Sequence, residues 1–334
     1  MPKIACVTMV RNEIDILPTF LQNVAALFDH VVMMDHCSVD GTGDMLRLAA
    51  NGRDDWHVWY VEEAGYFQEA FCSFAMRWLF QNTDTDVVVF LDADELVNVQ
   101  TRGMFDAIAL ACWEQALIGS LPWVSCLPLR PGKPIYHGCE FWRSGSKPTG
   151  SKVIVPKPVY DRYPSLRPGL GNHQIMLGER AMPVHVVGQL LHFPLRSLEQ
   201  MKQKMVTGCL SILARDDHVP NDKHHWFQAM KRLAEDDLDE DDLLGMAASY
   251  GETNAAFYRL PQHEIAQAGY AKSHLMIAHE TLPIGEATWH TDPWHIMAAA
   301  ISRWTPKHHT RLVPPRDVRV ALKDNRLTVA NYGG

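Results

Sequence analysis

The fold is decided by the stretch Val87-Val88-Val89-Phe90-Leu91-Asp92-Ala93-Asp94-Glu95-Leu96. Five apolar residues, mostly β-branched, predict a strand buried on both faces of a mostly parallel sheet. Such sheets bind ligands beyond the carboxyl ends of their strands, which is where the three acids follow. Because clustered carboxylates repel one another and lose solvation, a hard divalent cation carrying a phosphorylated ligand is expected there. An acidic turn or a helix cap is the alternative interpretation.

The residues before this stretch alternate between strand and helix patterns. Short apolar runs predict strands at Ile4–Val10, His30–Asp35 and Val58–Val61. Helical spacing of apolar residues predicts helices at 14–28, 43–50 and 67–80. This rhythm is typical of right-handed βαβ units around a parallel sheet.

The downstream residues predict a less regular middle and a helical final third. We expect a helix at 102–117, strands at 135–141, 152–155 and 184–192, and a helix that begins at Ser197. The acidic block at 235–242 predicts a solvated loop or a helix start, and residues 318–322 and 327–330 predict a closing hairpin. Residues 1–195 are therefore expected to form one α/β domain, with 196–334 as a mainly helical region.

Composition excludes several classes of protein. A net charge of −8 argues against a nucleic-acid footprint over the 334 residues. Seven scattered cysteines without a Cys-x-x-Cys motif favour reduced thiols in a cytoplasmic protein. We expect neither a signal segment, since Met1-Pro2-Lys3 leads directly into a strand, nor a membrane span, since the most apolar window, 104–129, is interrupted by polar residues and prolines.

Polar residues follow several predicted strands and are expected to meet in one crevice. They are Arg11-Asn12-Glu13, Asp35 with its Ser/Gly-containing turn, a helix carrying Gln68 and Arg77, and Asp92-Ala93-Asp94. A site that combines acids, an arginine and a bound metal is typical of nucleoside diphosphate binding. The glycines of a Rossmann or Walker loop and a Gly-x-Ser-x-Gly elbow are all missing from the sequence.

These motifs resemble the family 2-type glycosyltransferases with the GT-A fold. One branch of this family has the motif "RNE" after the first strand, "D-x-x-S-x-DGT" after the second and "lDaDE" after the fourth. This chain has Arg11-Asn12-Glu13, Asp35 to Thr42 and Leu91 to Glu95 in those three places. The branch has a downstream segment "K-x-x-x-P … H", which is similar to Lys152 to Pro156 followed by Gly171-Asn172-His173. It also has a segment "H-Y-x-x-R-S", which is similar to His192 to Ser197. The resemblance covers about two-thirds of the chain and implies an α/β fold with a mostly parallel twisted sheet flanked by helices. It implies that 1–195 form the nucleotide-sugar-binding and catalytic domain, and that 196–334 complete the acceptor side.

The resemblance also implies roles for individual residues. Asp35 stands where the family contacts the nucleobase, and Asp92 and Asp94 stand where it holds Mn²⁺ or Mg²⁺ with the donor diphosphate, with His192 as a further metal or diphosphate contact. Arg196 and Lys202 would flank the diphosphate side. The expected nucleotide-binding residues are Val10, Arg11, Asn12, Glu13, Asp35, Gln68, Arg77, Asp92, Ala93 and Arg196.

The general base is the departure from the family pattern. An inverting enzyme needs a group that deprotonates the acceptor hydroxyl, and no Glu-Asp or Asp-Asp pair lies between Leu96 and His192. We select Glu140 for this role because it follows a predicted strand, with His173 as its rival. Trp142 is expected to stack on an acceptor sugar.

The leading hypothesis is an inverting, metal-dependent transfer of a sugar from a nucleoside diphosphate donor to a glycan or lipid-linked acceptor. By analogy with the family, we expect a role in bacterial surface-polysaccharide assembly, in the cytoplasm or peripherally at the inner face of the membrane. The alternatives are a sugar nucleotidyltransferase and a non-catalytic carbohydrate-binding protein with a degenerate site.

Overall fold

The computed structural model describes residues 1–63, 65–213, 238–250, 259–282, 284 and 319–330. Its α-helices are α1 (Leu17–Leu27), α2 (Thr42–Ala50), α3 (Gln68–Asn82), α4 (Arg102–Glu114), α5 (Lys157–Arg162), α6 (Leu198–Leu213) and α7 (Glu240–Ala248). Strands β1 to β8 are Ile4–Val10, His30–Asp35, Trp56–Val61, Val87–Phe90, Glu95–Val97, Gly119–Pro128, Glu140–Ser144 and Ser151–Pro156. Strands β9 to β16 are Arg167–Pro168, Ile175–Leu177, Arg180–Ala181, His185–Val186, Leu190–His192, Tyr270–His274, Arg319–Lys323 and Arg326–Ala330.

The centre of the molecule is a parallel run of strands in the order β4-β1-β2-β3. Every residue of β1 is buried, and its side chains alternate between two apolar cores. Ile4 and Cys6 pack with α1, α2 and α4, whereas Ala5 and Val7 pack with α3. A strand covered on both faces requires an unbroken apolar run, which is why the sequence there does not alternate. The predicted α/β fold class is confirmed.

The sheet is extended at both edges by strands from later in the chain. Beyond β4 it continues through β8, β6, β7 and β14 in antiparallel pairs. Beyond β3 it continues into the hairpin of β15 and β16, where β16 runs parallel to β3 with Arg326 opposite Tyr60. Because β16 starts where β3 ends, it projects past the carboxyl edge of the parallel strands.

Two further elements reach this carboxyl edge. β5 pairs with β13 so that Glu95 lies opposite His192, and the carbonyl of Asp94 accepts a hydrogen bond from the Phe193 amide at 2.9 Å. α6 joins the first loop through Gln203, whose Nε2 donates to the carbonyl of Asn12 at 3.3 Å. The apolar face of α6 packs with α7 in a third core.

Most predicted elements are present, but two predictions need correction and one strand was missed. The strand expected at 135–141 begins only at Glu140, because the chain turns at Gly138 with a φ of 90°. The strand expected at 184–192 is split into β12 and β13 around Gly188, where a Cβ would come within 2.8 Å of Leu121. The ten-residue strand β6 was not predicted at all.

The predictions for the acidic block and the hairpin are confirmed where the structure describes them. Asp239 caps α7 in a reciprocal arrangement with Asp242, so the acids begin a helix. Residues 235–237 and Val318 lie outside the described residues. In the described parts of the chain, no helix combines the length and apolar character that crossing a bilayer requires.

Candidate active site

Asp92 is held on both of its carboxylate oxygens. Oδ1 accepts a hydrogen bond from Gln68 at 3.1 Å, and Oδ2 accepts one from Lys152 at 2.6 Å. Lys152 is fully buried, lies 3.5 Å from Glu95 and also donates to the carbonyl of Gly171. Asp92 therefore ties the first turn of α3 and the Gly171 loop to the end of β4.

Asp94 is buried between β13 and α6. Its Oδ2 accepts a hydrogen bond from Lys204 at 2.5 Å and lies 3.7 Å from Nε2 of His192. Lys204 also donates to Glu13 at 3.1 Å. One lysine on α6 thus bridges the acids that follow β1 and β4.

Arg196 forms the second bridge to the loop after β1. Its guanidinium is 2% exposed and donates to both oxygens of Asp15, at 2.7 and 2.8 Å, and to Glu13. Arg11 of the same loop contacts Ser211 of α6. The loop Arg11-Asn12-Glu13 is therefore joined to Arg196 in the segment His192 to Ser197 and to α6, the helix that follows this segment.

Within the described residues, acids outnumber cations in this network. Five carboxylates share three cationic side chains, namely Glu13, Asp15, Asp92, Asp94 and Glu95 with Lys152, Arg196 and Lys204. Burial raises the pKa of Glu95 well above its usual range, with Lys152 opposing the shift. Burial raises the pKa of Glu13 as well, and even with both glutamates protonated the three aspartates match the three cationic side chains. No positive charge is then left over for a diphosphate dianion, so an additional cation is needed.

The pKa shifts prepare Asp94 and His192 to bind a cation. Burial alone would raise the pKa of Asp94, but the charge of Lys204 and the contact with His192 hold it well below its usual range. Burial lowers the pKa of His192, and Asp94 offsets this only in part. At neutral pH the pair is therefore a carboxylate beside a neutral imidazole, which are the protonation states of metal ligands.

The residues present fit a divalent cation that arrives with its diphosphate. Within the described residues, no three His, Cys, Asp or Glu side chains gather to hold a metal ion by themselves. Asp94 and His192 supply two adjacent donors, and Mg²⁺ in such sites is commonly held by one or two protein ligands, substrate phosphates and water. The predicted ligand Asp92 has both oxygens engaged by Gln68 and Lys152, which leaves Asp94 and His192 as the better pair.

Asp35 lies in a tight turn at the end of β2. Its carboxylate accepts a hydrogen bond from the Ser38 amide at 3.0 Å. Asn12, with a φ of 53°, accepts from the Val39 amide at 2.8 Å and fastens this turn to the loop after β1. A Cβ at Gly43 would lie only 2.4 Å from Oδ2 of Asp35, so the carboxylate occupies space that only glycine leaves open.

An open cavity of about 620 Å³ adjoins Asp35. Its walls come from the Asp35 turn, the start of α2, the end of β3 and Arg326 of the hairpin. Arg47 donates to the hydroxyl of Tyr60 at 3.0 Å, and Arg326 pairs with Glu62 at 2.5 Å. The cavity falls within the size range of small-ligand sites and offers carboxylates, guanidinium groups and one aromatic ring.

His173 is placed beside the acid network. Its Nδ1 lies 2.7 Å from the carbonyl of Ser151 and must donate to it, which leaves Nε2 as the basic nitrogen of the neutral ring. The rings of His173 and His192 both contact Trp123, at centroid distances of 4.9 and 4.4 Å. Gly171 and Lys152 connect the same loop to Asp92.

Three predicted residues are not brought into this group. Glu140 is exposed on β7, which β6 and β8 separate from β4, and its charged neighbour is His274 at 3.9 Å. Trp142 packs against the third core beneath Lys272, 5.4 Å from its ring. Arg77 lies nine residues beyond Gln68, about 13 Å along the axis of α3.

Of the predicted nucleotide-binding residues, Val10 and Ala93 are buried at the strand ends beside the acids. Other residues that gather here were not indicated by the sequence. Lys204, rather than Lys202, contacts Asp94, and Asp15 is the second partner of Arg196. The charges of the buried acids were the available signal, because Glu13 and Asp94 each require a cationic partner, and Arg11 of the first loop contacts Ser211 of α6.

The N-terminal part of the chain matches a known family. Residues 5–102 match the family described as Glycosyl transferase family 2. No curated protein matches the chain. The parallel α/β sheet, with acids and a ligand-sized cavity at its strand ends, agrees with the GT-A fold class. Residues 5–102, which are less than half of the chain, are thus similar to the family 2 glycosyltransferases.

Solved structures to which this chain is similar show low identities and low TM-scores. S. aureus TarS is 15% identical with a TM-score of 0.35, over 78% of this chain and 46% of that chain. The TarS 1–349 structure is 13% identical with a TM-score of 0.36, over 99% and 97%. The mannosyltransferase PcManGT from Pyrobaculum calidifontis, solved with GDP-Man and Mn²⁺, is 19% identical with a TM-score of 0.37, over 92% and 88%. The chain spans about half the length of the longer TarS chain.

Proposed function

We propose that this glycosyltransferase moves a sugar from a nucleoside diphosphate donor to a hydroxyl of a glycan or lipid-linked acceptor, with inversion and with Mn²⁺ or Mg²⁺. The observation that carries the proposal is the pairing of Asp94 with His192 in an acid-rich network beside the Asp35 cavity. By analogy with the family, the setting is bacterial surface-polysaccharide assembly at the cytoplasmic side of the membrane.

The chain's own residues position the donor. The nucleoside lies in the cavity beside Asp35, whose carboxylate accepts from the base. The diphosphate extends toward Asp94 and His192, which would hold the cation. A bound cation would supply Lewis-acid neutralisation of the negative charge that forms on the departing diphosphate.

We assign the general base to His173 in preference to Glu140. Deprotonation of the acceptor hydroxyl requires a neutral ring with a lone pair, and the bond from Nδ1 to Ser151 leaves that lone pair on Nε2. Burial lowers the pKa of His173, with the charge of Lys152 adding to the shift, so the ring is neutral at pH 7. The acceptor oxygen then attacks the anomeric carbon as the bond to the diphosphate breaks, in a single displacement.

The donor-binding step is tested by thermal unfolding with UDP, GDP, dTDP or CMP, each with and without Mn²⁺. We expect one nucleotide with Mn²⁺ to raise the melting temperature by several degrees, since a ligand that binds only the folded state stabilises it. Asp94→Asn should abolish that rise. Asp161→Asn is the matched control, because Asp161 is an exposed partner of Lys157 on α5.

The catalytic step is tested with the sugar donor that the first experiment selects. His173→Gln should lower the rate of donor hydrolysis or transfer by about 10²-fold or more while donor affinity stays unchanged. Unchanged turnover in this variant would rule out the assignment of the base. Binding of the donor without any turnover in the wild-type protein would instead favour a non-catalytic carbohydrate-binding protein.

A further inference from the structure

Lys204 has an unusual position for a helix lysine, because it lies among the residues of the proposed donor site. Its side chain is largely buried, and its ammonium group has an acceptor for each of its three protons. They are Asp94 at 2.5 Å, Glu13 at 3.1 Å and the carbonyl of Pro194 at 3.2 Å. A new acceptor can therefore bind Lys204 only by replacing one of these three.

The surrounding contacts make Asp94 the replaceable partner. Glu13 keeps Arg196 on its other carboxylate oxygen, so it stays neutralised without Lys204. Asp94 has only His192 as a second partner among the described contacts, and those two side chains are the pair that fits a divalent cation. A cation at Asp94 supplies the positive charge that Lys204 provides in its absence.

We propose that Lys204 exchanges partners when the donor binds, and this inference rests on the proposed function. In the donor-free protein its ammonium group neutralises Asp94. With a nucleoside diphosphate and its divalent cation bound, Asp94 would bind the cation and Lys204 would donate its freed hydrogen bond to a diphosphate oxygen. Lys204 thereby stabilises the leaving group, without transferring a proton, as the anomeric carbon–oxygen bond breaks and its electron pair moves to that oxygen.

The exchange predicts two effects of opposite sign in Lys204→Met. Mn²⁺ alone, measured by the electron paramagnetic resonance of the free ion, should bind about tenfold tighter because its competitor for Asp94 is gone. UDP or GDP in the presence of saturating Mn²⁺, measured by calorimetry, should bind at least about tenfold more weakly because the diphosphate loses a cationic donor. Lys157→Met, which removes a lysine that pairs with exposed Asp161 on α5, should change neither affinity.

Two additional variants separate this role from a purely structural one. Lys204→Arg keeps the charge and should retain part of the diphosphate affinity. Lys204→Met combined with Glu13→Gln removes one acid with one cation, which keeps the charge balance if the single variant unfolds. Circular dichroism of each variant verifies that it is folded.

The outcomes distinguish the inference from the function on which it rests. If the wild-type protein binds no nucleoside diphosphate, the proposed function fails. If the wild-type protein binds one and folded Lys204→Met binds it equally well, the partner exchange is overturned and the proposed function stands. Weaker binding of both Mn²⁺ and nucleotide in the variant would also overturn the exchange, because it would make Lys204 a fixed part of the site.

Discussion

At the scale of single residues, glycine positions determine where the key side chains of the site lie. Gly43 is the second residue of α2, and its missing side chain leaves the space that Oδ2 of Asp35 fills. Gly103 occupies the same position in α4, with nothing within 4 Å of its Cβ position. The two glycines offer a matched pair for testing Asp35.

We predict that Gly43→Ala lowers nucleotide affinity about tenfold, since a Cβ 2.4 Å from Oδ2 displaces the carboxylate and removes about one hydrogen bond. Gly103→Ala should leave affinity unchanged and stabilise the fold by about 0.5 kcal/mol, because alanine favours helix. Calorimetry with the nucleotide selected above provides the measurement. Equal nucleotide affinity in the two variants would show that Asp35 does not contribute to nucleotide binding.

His36 gives a residue-scale prediction about pH. It is buried, with Nε2 facing the carbonyls of Glu63 and Gly65. Burial, assisted by the charge of Arg11, lowers its pKa to about 3. Because the unfolded chain accepts a proton near pH 6.5 and the folded chain resists it, this group removes stability as the pH falls from 6.5 toward 3.

In urea unfolding at pH 7 and pH 5, the wild-type protein should lose about 2 kcal/mol more than His36→Gln, which cannot be protonated. The comparison uses the change with pH in each protein, so any constant cost of the substitution cancels. If both proteins lost the same free energy of unfolding between pH 7 and pH 5, the sensitivity to acid would be assigned to the carboxylates instead.

Sequence reasoning was most direct where a strand ended in acids. Asp35, Asp92 and Asp94 follow buried strands, and the sheet brings them to one edge as expected. Lys204 was missed because a lysine on an amphipathic helix ordinarily points to solvent, and only the packing of α6 shows otherwise. Glu140 was chosen from its order in the chain, but the number of strands between it and β4 is not visible in the sequence.

At the scale of elements, the hairpin of β15 and β16 completes both the sheet and the cavity. Leu327 is fully buried in the core that includes α3, whereas its neighbour Thr328 is exposed on the opposite face. The local pattern predicted a hairpin, but its position beside β3 could not be predicted because nothing local encodes a partner so far away in sequence.

We predict that Leu327→Asp lowers the free energy of unfolding by about 3 kcal/mol or more, since it buries a charge at an apolar position. It should also weaken nucleotide binding, because Arg326 leaves the cavity wall. Thr328→Asp introduces the same charge one residue away and should preserve both properties. Urea unfolding and calorimetry measure the two effects, and an unaffected nucleotide affinity in a destabilised Leu327→Asp would separate the hairpin from the cavity.

At the scale of the whole molecule, buried ion pairs join the first loop to the helical region. Arg196 and Lys204 provide the cations for Glu13, Asp15 and Asp94. A domain boundary at residue 195 would thus separate these two cationic side chains from the carboxylates that they neutralise. The βαβ rhythm predicted the parallel sheet well, whereas this long-range charge pairing depends on how α6 packs.

We predict that a chain ending at residue 195 does not unfold cooperatively and binds no nucleotide, because removing one partner of a buried ion pair costs about 3–5 kcal/mol for each pair lost. Thermal unfolding followed by circular dichroism tests this. A sharp transition with retained binding would establish 1–195 as an independent domain.

The pairing of β3 with β16 also has a consequence for synthesis of the protein. The amides of Tyr60 and Glu62 donate to carbonyls of Asn325 and Leu327, and Glu62 and Arg326 are 264 positions apart. At typical translation rates, the ribosome adds these partners roughly 13 to 50 s after β3 emerges. During that interval the outer edge of β3 is an unpaired template for strands of other nascent chains, so chaperone capture at this edge should govern the yield of folded enzyme.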